Sequence, residues 1–441
     1  MSVILETLQK FVTAHPAVKR WWVAYSGGLD STVLLKGLVC INPSQPVMAL
    51  HIHHGLSDYA DEWQTHCQRQ CDALGVELVV ERVSVESGGR GIEDAARQAR
   101  YQVFEQTLLP GDGLLLAHHQ DDQAETLMLR LLRGSGPKGL SAMVDQRSVG
   151  AGVLYRPLLG LRRSTLEEQA CQWKLSWVED DSNSSLDFDR NYLRHQVLPA
   201  VQQRWPDFTG QWQQSAELCR QSDQLAQEVA GQDWQQMDWR QERLGSSISL
   251  AALQTLSSFR RGNLIRYWLE RQSLNPPERV HLQEVEAQLI GGREDSEAEV
   301  TWGAVRLRRF RQRLYLLPAG LMKQTTDVSL CWNGLEPLQW GHWQLTLEEV
   351  EQGGFRLPAG GFKVKARQGG ERCHPSWRDR SQTLKKLLQE SDLEPWLRHQ
   401  LPLLVVGDEI AVVADLWCCK GWEAVSEPGY RLRCEAVAGQ N

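Results

Sequence analysis

The 441-residue chain contains no GxxxxGK[ST] segment and no GxSxG, and its one GxGxxG, GSGPKG, follows a helical stretch rather than a strand. A phosphate loop with a Walker lysine, a dinucleotide fingerprint and a hydrolase nucleophile elbow are thereby excluded. Its 10 cysteines include no CxxC pair. The nearest neighbours are Cys67 with Cys71, one helical turn apart, and adjacent Cys418 and Cys419. They read as small buried hydrophobes, a metal pair being the rarer use of such spacing. No run approaches about 18 apolar residues, and the opening MSVILETLQKFVTAHP is too polar for a secretory signal. A cytoplasmic chain without membrane contact or a disulfide framework is expected.

Positive charge is also scarce: the net charge is −7, which at first argues against a nucleic-acid partner. Its distribution argues otherwise. Residues 256–320 hold 11 arginines against 8 acids, and residues 363–400 hold 9 Lys and Arg against 5 acids. The rest of the chain therefore stands at −14, and a polyanion finds its footing towards the C-terminus.

What is present begins with alternation. The short apolar runs WWVAYS, VMALHIHHG, VELVVERVSV, GLLLAHH and VLYRPLL read as strands, with helical periods between them. STLEEQACQWKL reads as a helix with a serine N-cap and Glu167 closing a capping box. Repeated strand–helix units predict an α/β fold, a doubly wound parallel five-stranded sheet with ligands at the carboxyl ends of its strands. WVEDDSNSSLDFDRNYLRHQVLP reads as a polar connector. A Gln-, Trp- and Leu-rich stretch with helical spacing follows, and then short strands, glycine pairs and the basic helix SQTLKKLLQE. The expected domains are 1–210 (catalytic α/β), 211–325 (mainly helical) and 326–441 (small α+β).

SGGLDS, residues 26–31, lies between the first strand and the first helix of the sheet. Gly27 and Gly28 allow close backbone approach, Ser26, Ser31 and Thr32 offer hydroxyls, and the helix start offers amides. The bland alternative is a tight serine-capped turn. Asp30 within an anion loop becomes favourable once a divalent cation stands between it and phosphate. Further on, His118 and His119 end the fourth strand, and Asp121, Asp122 and Glu125 follow on a helix. Asp122 and Glu125, three apart, share a face suited to a cation, although acids also complement a helix N-terminus. RGSGPKG is a second glycine-rich loop, from which Arg133 and Lys138 could approach phosphates, although a bare loop of this kind is weak evidence.

SGGLDS in this context resembles the PP-loop enzymes, which cleave ATP between its α and β phosphates. Taken with HIHHGL, GIEDAARQARY, AHHQDDQAETLMLRLLRGSG, RPLL, DRNYLRHQVLP and the C-terminal KVKARQGGERCHP, the chain resembles the bacterial tRNA(Ile)-lysidine synthetases in order and spacing. The resemblance is strong over about residues 20–200 and returns in the C-terminal segment. It implies a ligase that adenylates the wobble cytidine of a CAU-anticodon isoleucine tRNA and joins free L-lysine to it, releasing AMP and pyrophosphate. It implies ATP as co-substrate and Mg²⁺ as cofactor, and it leaves room for a homodimer. Carried onto this sequence, Ser26, Gly27, Gly28, Leu29, Asp30 and Ser31 bind ATP, and Asp30 acts through the metal. His51 and His53 lie near the adenosine, with packing as the equal alternative, and Gly55 is a turn residue. Arg97 stabilises charge at the reacting phosphate, unless helical register favours Arg100; Asp122 and Glu125 hold lysine.

GAVRLRRFRQRLYLL reads as one strand with Arg309, Arg311 and Arg313 on one face and Arg306 and Arg308 on the other. With Arg260, Arg261 and Arg266 on a helix it offers an RNA-backbone surface, against the alternative of a solvated charged face. Arg133, Arg260, Arg261, Arg309 and Arg311 are the expected tRNA contacts. Two other functions compete: a PP-loop enzyme that makes a small amide or thiolates a tRNA base, and an RNA-binding protein with an inactive loop. The absence of CxxC pairs weighs against the first, and the intact Asp30 against the second.

Overall fold

The computed structural model describes residues 2–85, 92–179, 185–293, 298–318, 329–425 and 428–437. The chain packs as two units, Met1–Leu225 and Ala226–Asn441.

The first unit is built on β1 (Arg20–Ala24), β2 (Val47–His53), β3 (Glu77–Arg82), β4 (Asp112–Leu115), β5 (Gln146–Val149) and β6 (Gly152–Tyr155). They form one sheet in the order β3-β2-β1-β4-β6-β5. Five strands are parallel, as the alternation predicts; β5 is an additional edge strand antiparallel to β6. Both faces are covered, so successive residues of β1 enter different cores. Trp21 and Val23 pack with Ile4, Leu34 and Leu166, whereas Trp22 packs with Leu50, Phe104 and Leu154. That double burial is why WWVA reads as a continuous apolar run. The chain turns outward from β1 to β2 and β3, and in the other direction from β4 to β6. Strand order thus reverses between β1 and β4, which opens a crevice at their carboxyl ends.

Helices α1 (Val3–Ala14), α2 (Leu29–Ile41), α3 (Ala60–Leu74), α4 (Ile92–Thr107), α5 (Gln120–Leu132), α6 (Pro137–Leu140) and α7 (Arg163–Gln172) accompany the sheet. Two expectations need correction here. Helix α7 starts one residue before the proposed serine cap, and Arg162 at its N-cap makes no side-chain cap bond. Asp121 on α5 performs that role instead, its Oδ2 accepting from the Arg163 amide at 2.9 Å, while Glu167 pairs with Arg163. The connector after Trp177 is helical beyond Asp187: α8 (Asp189–Tyr192), a π-helical turn (Leu193–Val197) and α9 (Leu198–Arg204). Its DDSN portion, 180–183, lies outside the described residues. Helix α10 (Phe208–Trp234) follows.

In the second unit, a stretch read as mainly helical also carries a five-stranded sheet, β7 (Arg240–Gln241), β8 (Ser246–Ser249), β9 (Glu299–Trp302), β10 (Val305–Phe310) and β11 (Arg313–Leu317), in the order β7-β8-β11-β10-β9. The arginine-rich segment is a hairpin rather than one strand, because Arg311 adopts φ 52° and turns the chain back. On one face Leu307, Leu314 and Leu316 pack with Leu264, Trp268 and Val285; on the other Tyr315 and Leu317 join a core with Trp343, Trp396 and Leu404. The C-terminal part holds antiparallel sheets and the helix Leu384–Glu390. Among the described residues no helix is long and apolar enough to cross a membrane.

A single buried acid fastens the amino-terminal edge of the first sheet. Asp112, 3% exposed, accepts from Arg20 Nε and a terminal guanidinium nitrogen at 3.1 Å each, from Trp22 Nε1 at 3.0 Å and from the Leu109 amide at 3.1 Å. Breaking a buried pair of this kind costs about 3–5 kcal/mol. Asp112→Ala is expected to lower unfolding free energy by that order in urea titrations. ATP affinity should change little, since the lock lies at the edge of the sheet away from the crevice.

Candidate active site

SGGLDS occupies the crevice predicted by the sheet order. Gly28 is the N-cap of α2 and no side chain caps that helix, so its first amides face the crevice unoccupied by side chains. The serines brace the turn instead: Ser26 Oγ accepts from the Gly28 amide at 3.3 Å and lies 3.1 Å from Ser31 Oγ, and Ser31 donates to the Gly28 carbonyl at 3.0 Å. Gly27 has φ +81°, and a Cβ there would stand 2.7 Å from Cys67 Sγ and 3.1 Å from a Val178 methyl carbon. Both backbone and space therefore require glycine at this position. Asp30 projects from the first turn of α2; its Oδ1 is buried without a hydrogen-bond partner among the described residues.

Opposite, at the carboxyl end of β4, His119 is the N-cap of α5. Its Nδ1 accepts from the Asp122 amide at 3.3 Å, and its own amide donates to Asp122 Oδ2 at 3.0 Å. With Nδ1 accepting, the ring proton sits on Nε2, 3.3 Å from Asp122 Oδ2 and 3.7 Å from Asp30 Oδ2. One imidazole thus links the phosphate loop to the acidic turn of α5.

Asp122 and Glu125 are brought together as their spacing predicts, and both are buried, Glu125 to 1% exposure. They do not face an empty cleft. Arg190 of α8 donates to Glu125 Oε2 at 2.6 Å and Asp122 Oδ1 at 2.8 Å; Arg194 donates to Glu125 at 2.7 and 2.9 Å. The burial of Asp122 would raise its pKa, but His119, Arg190 and the His119 amide hold it down to about 2. These two arginines escaped the sequence reading because their segment looked like a polar linker. Their spacing of four residues, one helical face, was the available clue.

His51 is buried, its Nδ1 2.9 Å from the Tyr25 carbonyl and 3.6 Å from Cys67 Sγ beneath the loop. Burial lowers its pKa, so the ring is neutral. His53 lies beside Asp61 at 3.1 Å. Arg97 is exposed on α4, 5.0 Å from the Tyr101 ring centre, while Arg100 bears on His54. His118 accepts from Arg156 Nε at 3.1 Å. Of the expected tRNA contacts, Arg133 is exposed at the end of α5. The other four have partners within their own unit: Arg260 with Asp233, Arg261 with Glu286, Arg309 with the carbonyls of Leu289 and Gly292, and Arg311 with Asp392. All ten cysteines are unpaired.

A glycine-capped loop with an internal aspartate, placed where a parallel sheet reverses, defines a PP-loop protein, and residues 2–201 match the PP-loop domain family. Residues 248–315 match the TilS substrate binding domain and residues 362–434 the TilS substrate C-terminal domain. The tRNA(Ile)-lysidine synthase of Alkalilimnicola ehrlichii is 40% identical over 98% of this chain and 96% of its own. That of Serratia proteamaculans is 42% identical over 90% of each, and that of Coxiella burnetii 36% identical over 96% and 94%. The chain belongs to the tRNA(Ile)-lysidine synthase family.

Burial pushes the His118 pKa down to about 3, helped by Arg156, Arg190 and Arg97 against the pull of Asp122. A histidine depressed in the fold must gain its proton on unfolding, so stability falls as pH drops below the ordinary value of about 6.5 and continues to fall towards 3. His118→Gln, which can still accept from Arg156, is expected to flatten the decline of the thermal midpoint between pH 6.5 and 4. An unchanged slope would mean that other groups carry it.

Proposed function

We propose that this chain uses ATP to join the ε-amine of free L-lysine to carbon 2 of the wobble cytidine in the CAU anticodon of isoleucine tRNA. The observation that carries it is the uncapped start of α2 beside the partnerless Oδ1 of Asp30. Amides without side-chain partners suit the β- and γ-phosphates that leave as pyrophosphate. The cytidine O2 attacks the α-phosphorus, the bond to the β-phosphate oxygen breaks, and O2 becomes part of a phosphate ester. The lysine amine then attacks carbon 2, losing a proton as AMP departs with that oxygen. Adenylation matters because a pyrimidine oxygen is otherwise a poor leaving group; the protein's share is positioning and charge stabilisation.

A divalent cation such as Mg²⁺ suits this donor set, since a buried carboxylate oxygen without a hydrogen bond is a hard ligand in need of a cation. Asp30 would hold it, and it would supply positive charge to the phosphate oxygens. Arg97 supports charge at the reacting phosphate.

Asp122 and Glu125 are the lysine site in this reading. They form a neutral quartet with Arg190 and Arg194, so an added ammonium has to displace guanidinium donors. Lysine binding is therefore coupled to movement of Arg190 and Arg194. For the tRNA, exposed Arg133, Arg260 and Arg311 have donors to spare, since a bidentate carboxylate takes two of the five. Arg261 and Arg309 are more deeply engaged and position the surface.

The test combines ATP, labelled lysine and unmodified CAU-anticodon isoleucine tRNA. Label should enter the RNA with equivalent AMP release; AMP formation supported by ammonia or sulfide instead would overturn the proposal. Asp30→Ala is expected to abolish AMP release. Asp122→Ala should raise the KM for lysine at least tenfold, the order expected for losing one charged hydrogen bond. An unchanged KM would remove Asp122 from the lysine site.

A further inference from the structure

The quartet balances its charges; a neighbouring cluster does not. On α4 the Tyr101 ring has the guanidinium carbon of Arg97 at 5.0 Å from its centre and that of Arg147, from edge strand β5, at 4.3 Å. Beneath them lies Arg156, the residue following β6, only 5% exposed. Its guanidinium donates to His118 Nδ1 at 3.1 Å and to the Val144 carbonyl at 2.6 Å, both neutral acceptors. Among the described residues, no carboxylate pairs with Arg97, Arg147 or Arg156. The nearby histidines leave this positive charge neither relieved nor increased, since burial keeps both His118 and His54 neutral.

A buried guanidinium without a carboxylate costs several kcal/mol unless an anion arrives, and two more beside it repel one another. Arg97 and Arg147 are exposed, so the cluster has an open rim over a buried floor. Their contacts with the Tyr101 face hold both guanidiniums in place before any ligand binds. Guanidinium forks match phosphate oxygens in geometry as well as charge. The cluster is also set apart from the SGGLDS loop: the loop follows β1, Arg156 follows β6, and β4 lies between those strands.

We propose that Arg147 and Arg156, with Arg97, form a phosphate-binding site at the carboxyl end of β6, distinct from the phosphate loop. This rests on the reading above for the substrates and adds two residues to it. The phosphate comes from one of the two polyanions the reaction uses, the nucleotide or the RNA backbone.

The test compares the full-length chain with Arg147→Ala, Arg147→Lys and Arg156→Lys. Arg147 is exposed, so its replacement should leave folding intact; the thermal midpoint checks this. ATP affinity is measured without RNA, and affinity for the unmodified isoleucine tRNA is measured without ATP across a salt series. Arg147→Ala is expected to weaken one of these about tenfold, with Arg147→Lys intermediate. If the phosphate is RNA, the slope of log K against log salt should also shrink by about 0.7–0.9, which a merely structural residue would not change. If it is the nucleotide, ATP affinity falls and the RNA slope stays. Both affinities within twofold of wild type in all three folded variants would overturn the site. Failure of the wild-type chain to transfer lysine would instead sink the preceding proposal, because the two binding arms are read independently of turnover.

Discussion

Two carboxylates buried in the opening turns of α5, Asp122 and Glu125, impose the condition that the rest of the first unit satisfies. Buried charge must be neutralised, and the available cations, Arg190 and Arg194, come from a segment some 65 residues further along the chain. Their donation ties α8 and the following π-helical turn to the ligand edge of the sheet. The acids anchor the end of the domain, and they stand next to His119, which reaches towards Asp30 across the crevice.

The two helix starts that face this crevice are treated in opposite ways. Helix α5 is filled: His119 and Asp122 cap each other, and Asp121 further serves the start of α7. Helix α2 is left open, with glycine at its N-cap and serines bonded within the turn. The same physics, amides in need of acceptors, gives a closed helix start on one side and an open one on the other. Gly27 seats the open loop against Cys67 of α3 and Val178, so two small side chains define its floor.

The second unit handles its arginines by pairing rather than by exposure. The β10–β11 hairpin contributes to a core on each face, yet it carries the half-buried Arg306, Arg308, Arg309 and Arg313. Arg308 and Arg306 meet Glu299, Arg313 meets Asp238, and Arg309 donates to the carbonyls that end a helical turn. A segment with net positive charge in the sequence is thus largely neutralised where it folds. Regional charge identified a partner class, but it did not identify which cations are spare.

By itself the sequence determined the parallel α/β sheet, the strand–loop–helix placement of SGGLDS and the pairing of Asp122 with Glu125. Each of these is local: apolar runs, glycine spacing and a three-residue helical offset act over one turn or one strand. It misjudged the α7 cap, because Asp121, the acceptor that replaces Ser164, is distant in sequence. It read one strand where Arg311 turns back, since no glycine marks that turn. It also missed Arg190, Arg194 and Arg156, whose roles exist only once β4, β6 and α8 converge. Tertiary structure decided which charges meet, because a buried charge takes the partner that the folded chain delivers, whatever its distance along the sequence.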